Sequence, residues 1–197
     1  MKKVVLVLVA GISLASAKAQ IQYGVKAGAN FATITGSDAS GAKSITNFNG
    51  GVFAKIPLAG SLSLQPEVLY SGQGAKATQD GYEAKVNLGY LNVPVLVKYN
   101  LPMGFSVQTG PQIGFLLSAT DKLNGVSIPG AKSSYQSTDF SWDFGAGYVT
   151  PFNLGIEARY GLGLTKIGKA QDGDPAPNIK NGVFSVGLFY VLGGGKK

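Results

Sequence analysis

The chain has 197 residues, with 17 basic and 10 acidic side chains, 29 Gly, and neither Cys nor His. The two absences exclude disulfide stapling, thiol and imidazole nucleophiles and bases, and Cys/His metal centres together. Beyond Lys2–Lys3 near the start and the terminal Lys196–Lys197 pair there is no run of Lys or Arg, so no nucleic-acid partner is expected.

Residues 1–19 read as a secretory signal peptide. Lys2 and Lys3 precede an apolar run from Val4 to about Leu14, and Ala17-Lys18-Ala19 supplies the small-residue cleavage site. The run is shorter than the ~20 residues of a helical span, which disfavours the alternative of an anchor helix. Cleavage after Ala19 leaves residues 20–197 as one β-barrel domain and removes three lysines, so the net charge falls from +7 to +4.

From there the period is two, and eight strands are expected near 22–33, 47–57, 61–72, 84–100, 103–117, 138–150, 153–165 and 179–192. The connections at 56–61, 99–104 and 149–154 are tight and rich in Pro, Gly and Asn, whereas 35–46, 74–82, 118–137 and 166–180 are longer and polar. Loops that alternate long and short fit an all-β, eight-stranded antiparallel up-and-down barrel with both termini on one side. Short periplasmic turns and longer external loops make it a transmembrane barrel of the Gram-negative outer membrane, with periplasmic termini.

The strands have two unlike faces. Phe105, Val107, Thr109, Ile113, Phe115 and Leu117 oppose Ser106, Gln108, Gly110, Gln112 and Gly114. A soluble lipocalin-like carrier barrel would show the same period. A glycine-rich face bearing opposite charges suits a narrow filled lumen better than a solvated surface. Aromatic residues also cluster at two levels of the apolar face, Tyr23, Tyr99, Phe105, Tyr148 and Tyr190 at one and Phe31, Phe48, Tyr70, Phe115, Phe140, Trp142 and Phe184 at the other. That is the pattern of interfacial girdles around a hydrocarbon band.

Parity places Lys26, Lys55, Glu67, Lys98, Asp143, Glu157 and Arg159 inside. Buried charges persist only when paired, so Glu67 is expected to meet Lys55 or Lys98 from neighbouring strands, and Glu157 or Asp143 to meet Arg159 or Lys26. The expected function is therefore a non-enzymatic barrel with a plugged polar lumen and four external loops, structural or surface-binding; a narrow small-solute channel is the alternative. No catalytic residue, cofactor or metal site is expected. Asp172 and Asp174 share a Gly-bearing loop but lack the ligand count of a calcium site. Pro66, Pro94 and Pro111, at similar heights in strands three to five, predict a bulge or a gap in the ladder there.

"YGVKAGANFA" (23–32), "QPEVLYSGQGAK" (65–76), "YLNVPVLVKYNL" (90–101) and "VQTGPQIGFLLSA" (107–119) together resemble the PorT-like outer-membrane β-barrel family of Bacteroidetes, over nearly all of residues 20–197. The resemblance implies an eight-stranded barrel of the "porin family" type in the outer membrane. The last strand resembles the barrel-assembly signal at Ser185, Gly187, Tyr190 and Leu192, although the chain continues as "GGGKK". The expected partners are outer-membrane lipid, the barrel-assembly machinery and an unknown ligand at the external loops, with the barrel itself a monomer.

Overall fold

The computed structural model describes residues 21–79, 81–170 and 173–193, so the expected signal peptide, Asp172 and the terminal lysine pair lie outside the described residues. Nine strands form among them: β1 (Gln22–Thr35), β2 (Ile45–Pro57), β3 (Leu62–Gln79), β4 (Tyr82–Asn100), β5 (Phe105–Leu123), β6 (Val126–Ile128), β7 (Thr138–Val149), β8 (Leu154–Gly163) and β9 (Lys180–Val191). Eight of them, in the order β4-β3-β2-β1-β9-β8-β7-β5, close into a ring through the pairing of β4 with β5. Every neighbouring pair in the ring is antiparallel. Closure leaves no unpaired edge around the wall, as a lipid environment demands.

The distribution of side chains settles which face is inside. Val25, Val52, Val68, Val97, Val107, Phe144, Ile156 and Leu188 are exposed on the outer wall, while Lys26, Asn30, Gln65, Glu67, Asn92, Gln108, Asp143 and Arg159 are buried. A carrier barrel with an apolar lumen would show the reverse. Aromatic pairs join neighbouring strands at both ends of the outer wall: Phe105 and Tyr148 at 4.9 Å between ring centroids, and Phe48 with Tyr70 at 5.0 Å towards the other end.

At the long-loop end the strands run further than their sequence suggests. The segment 74–82, expected as a loop, belongs mostly to a hairpin in which Gln79 pairs with Tyr82. The reason is local: Asp80–Gly81 is the dipeptide a two-residue hairpin turn favours, and Gly81 has φ 82°. β5 likewise continues to Leu123, then turns at Asn124 and Gly125 (φ 50° and 82°) into β6. β3 to β6 therefore rise above the wall as a small sheet.

The three prolines occupy a staircase. Pro66 pairs with Val95, the neighbour of Pro94, and Pro94 pairs with Gln112, the neighbour of Pro111. The ladder is interrupted beside each: between the pairs Phe53↔Glu67 and Ile56↔Leu64, between Pro66↔Val95 and Leu69↔Asn92, and between Pro94↔Gln112 and Val97↔Thr109. Each proline removes one donor on the side of the preceding strand, and the gap falls on that side. On the far side of Pro111 the register with β7 is continuous.

Candidate functional site

The lumen holds nearly all of the polar burial, and its centre is a five-residue ion cluster. Glu67, on β3 with its side chain fully enclosed, accepts Arg159 Nη1 and Nη2, each at 2.9 Å, and Lys26 Nζ at 3.0 Å. Gln65 Nε2 donates to the same carboxylate at 2.7 Å. Lys26 also pairs with Glu157, and Arg159 lies 3.4 Å from Glu157 and 3.6 Å from Asp143. Two cations thus face three carboxylates across a lumen just wide enough for side chains to fill.

The partners of Glu67 differ from the adjacent-strand pairs expected of it. Lys55 and Lys98 stand nearer the short-turn end, and Glu67 instead reaches Lys26 of β1 and Arg159 of β8. In so narrow a barrel opposite walls are within side-chain reach, so strand order does not predict partners. Arg159 is favoured over a lysine because its fork matches a carboxylate at two points.

Lys55 and Lys98 line a separate cavity of about 310 Å³ open at the short-turn end, with Gln65, Asn100 and the rings of Phe53 and Phe189. Lys98 Nζ sits 5.1 Å from the Phe189 ring centroid and 3.5 Å from Gln65 Oε1. On the other side of the ion cluster a cavity of about 40 Å³ is lined by Asn30, Ser71, Asn92, Asp143, Glu157, Arg159 and their neighbours. The two cavities have no lining residue in common.

Towards the long loops a hydrogen-bonded polar layer follows: Asn49 donates to Asn30, Asn30 to Ser71, and Gln112 to Ser141. Asp139 belongs to it, accepting from Asn181 at 2.8 Å and Thr165 at 3.0 Å. Asp139 was missing from the expected lumen charges although it has the parity of Asp143. Above that layer Leu88, Tyr90, Leu116, Tyr135 and Ile167 bury one another, with Ile34 and Ile179 against them. Two loops are zipped over this apolar cap by Gln136 N–H to Ile167 O (2.8 Å) and Lys169 N–H to Ser134 O (2.9 Å). Burial beside Asp121 pushes the Tyr135 phenol upward. Asp38 ties the first long loop to the last by accepting Asn178 N–H at 2.8 Å; that bond and the Ser37 hydroxyl hold its carboxyl below the ordinary value.

Of the remaining candidates, Ser185, Gly187 and Tyr190 lie in β9, and Leu192 just beyond it donates its N–H to Tyr23 O. Asp174 is in a loop, and among the described residues no group of three acidic side chains is arranged to hold a metal.

A family model described as "Outer membrane protein beta-barrel domain" matches residues 15–168. Among solved structures, Neisserial surface protein A aligns with a TM-score of 0.51 at 17% identity, covering 85% of this chain and 96% of that one. Ail, the attachment invasion locus protein of Yersinia pestis, aligns at 0.49 and 14% identity, covering 87% and 98%. OprG of Pseudomonas aeruginosa aligns at 0.42 and 14% identity, covering 88% and 95%. No curated protein matches the sequence. At these identities the likeness to the Neisserial protein speaks for the fold alone. With the inverted barrel and the family match together, the chain belongs to the outer membrane protein β-barrel domain family and resides in the outer membrane.

Proposed function

We propose that this protein is a closed, non-enzymatic, monomeric barrel that displays a rigid face of zipped loops at the cell surface, with both termini periplasmic after removal of residues 1–19. The observation that carries the reading is the ion cluster of Lys26, Glu67, Asp143, Glu157 and Arg159 lying across the lumen. Opposed buried charges with bidentate geometry hold one another in place, and freeing a single member costs ~3–5 kcal/mol. Between that cluster and the apolar cap, a hydrated solute has no continuous path. The finer kinship to PorT-like barrels, and delivery to the assembly machinery through Ser185, Gly187, Tyr190 and Leu192, belong to the same proposal. The C-terminal strand supports it by pairing with β1 to close the ring.

The test is solute entry. Proteoliposomes carrying the purified barrel should swell in glycine or arabinose no faster than protein-free vesicles. Swelling that scales with protein content and falls with solute size would replace the closed barrel with the small-solute channel.

A further inference from the structure

Lys43, Lys76, Lys85 and Lys122 stand side by side. Lys43 bridges Lys76, Lys76 pairs with Lys85, and Lys85 pairs with Lys122, so four lysines form one lateral row from the first long loop across β3 and β4 to β5. Directly opposed residues of an antiparallel ladder share a face, and like charges so opposed destabilise the sheet. With strands about 4.8 Å apart the row spans about 14 Å. Among the described residues none of the four takes part in an ion pair, all ion pairs there being in the lumen. Lys132 adds an amine at the flank, donating to Leu117 O at 2.8 Å.

The face is the one that meets lipid lower down. Lys76 continues the outward positions of β3 above Tyr70, Lys85 those of β4 above Leu91, and Lys122 those of β5 above Phe115 and Leu117. Between girdle and lysines the outward positions are small or polar: Gly72, Gly74, Asn87, Gly89, Ser118 and Thr120. Six residues of tilted strand place Lys76 about 15 Å above Tyr70, and flexible lysine stems can lean back towards the interface.

We propose that this row binds the phosphate groups of a phosphorylated glycolipid in the outer leaflet, whose charge relieves the repulsion built into the sheet. The row stands on the protruding sheet, three ladder pairs from the Gln79–Tyr82 turn, and it faces sideways on the same face as the lipid-facing aromatics, so it overlooks the surrounding leaflet, and a soluble polyanion is the competing ligand. The proposal rests on the long-loop end being the external one.

Wild-type protein and the triple variant Lys76→Gln/Lys85→Gln/Lys122→Gln are compared in phosphatidylcholine nanodiscs with and without diphosphoryl lipid A, reading the temperature at which the folded gel band is lost. In phosphatidylcholine alone the variant should melt at or above the wild type. Lipid A should raise the wild type by several degrees more than the variant, and high salt should erase the difference. Equal shifts, or none, would overturn the proposal, as would dextran sulfate reproducing the full shift in lipid-A-free discs. If the triple variant does not fold, Lys85→Gln, at the centre of the row, gives the same comparison at smaller amplitude. Labelling of Ser127→Cys by an impermeant maleimide in intact cells checks orientation separately: its failure would overturn the surface reading, while the lipid A result in discs does not depend on it.

Discussion

Arg159→Met and Glu67→Gln should have unequal costs, in an order set by charge balance inside the lumen. The cluster holds Lys26 and Arg159 against Glu67, Asp143 and Glu157, all within 3.6 Å of an opposite charge. Glu67→Gln removes the bidentate contact but leaves two cations facing two carboxylates, with Asp143 and Glu157 still beside Arg159. The cost falls at the lower end of the range for breaking a buried pair, about 3 kcal/mol. Arg159→Met leaves three carboxylates around one lysine, and the cost rises to about 5 kcal/mol or more. In the double variant the carboxylate that loss of Arg159 would strand is itself gone, leaving two carboxylates beside Lys26, so the combined loss should fall short of the sum by about 1.5–3 kcal/mol. Urea unfolding in lipid vesicles, followed by Trp142 fluorescence and by gel mobility, measures all four corners of the cycle. Additive costs, or Glu67→Gln costing more than Arg159→Met, would refute a cluster held together by mutual neutralisation.

Amide hydrogen exchange should be faster beside the three ladder gaps, around residues 53–56, 64–68, 92–97 and 109–112, than at comparable depth in β8 and β9, where the register is unbroken; uniform protection would contradict the staircase. Ile167→Ala removes a fully buried side chain from the apolar cap, and should destabilise by about 2 kcal/mol while opening 166–180 to protease on intact cells. The Asp38 tie has a defined pH sense. Its folded value lies below the ordinary 3.8, so its contribution is fully present above that value and is lost as pH falls through the lower folded one. Exchange of the Asn178 amide should therefore accelerate only under acid conditions, and in Asp38→Asn it should be insensitive to pH beyond the intrinsic chemistry.

The barrel was legible because alternation has a period of two and lipid leaves only one way to satisfy an all-strand chain. Leu154, Ile156, Ala158, Tyr160 and Leu162 announce a wall on their own. What could not be read locally is contact across the lumen. Arg159 and Glu67 are 92 positions apart and on strands that never pair, so neither periodicity nor strand order joins them. The hairpin at 79–82 was readable from Asp80–Gly81, yet its flanks set Lys76, Thr78, Glu83 and Lys85 against little more than Ala75, Ala77 and Ala84, too faint an apolar stripe to mark a strand, and polarity suggested a loop. Ile167 gave no warning: one apolar residue in a polar loop becomes a cap only when Tyr135 and Leu88 arrive from elsewhere in the chain. The proline row was the opposite case, since the missing donors are a property of the residue and register alone placed the gaps.

Planar-bilayer recording of purified wild-type protein beside a variant with Lys26, Glu67, Glu157 and Arg159 all replaced by Ala tests the closed lumen most directly. A closed lumen should give no stepwise conductance from the wild type under applied voltage, and intermittent small openings once the four side chains are gone. Steady unitary channels from the wild type, of the same size as those of the variant, would contradict it.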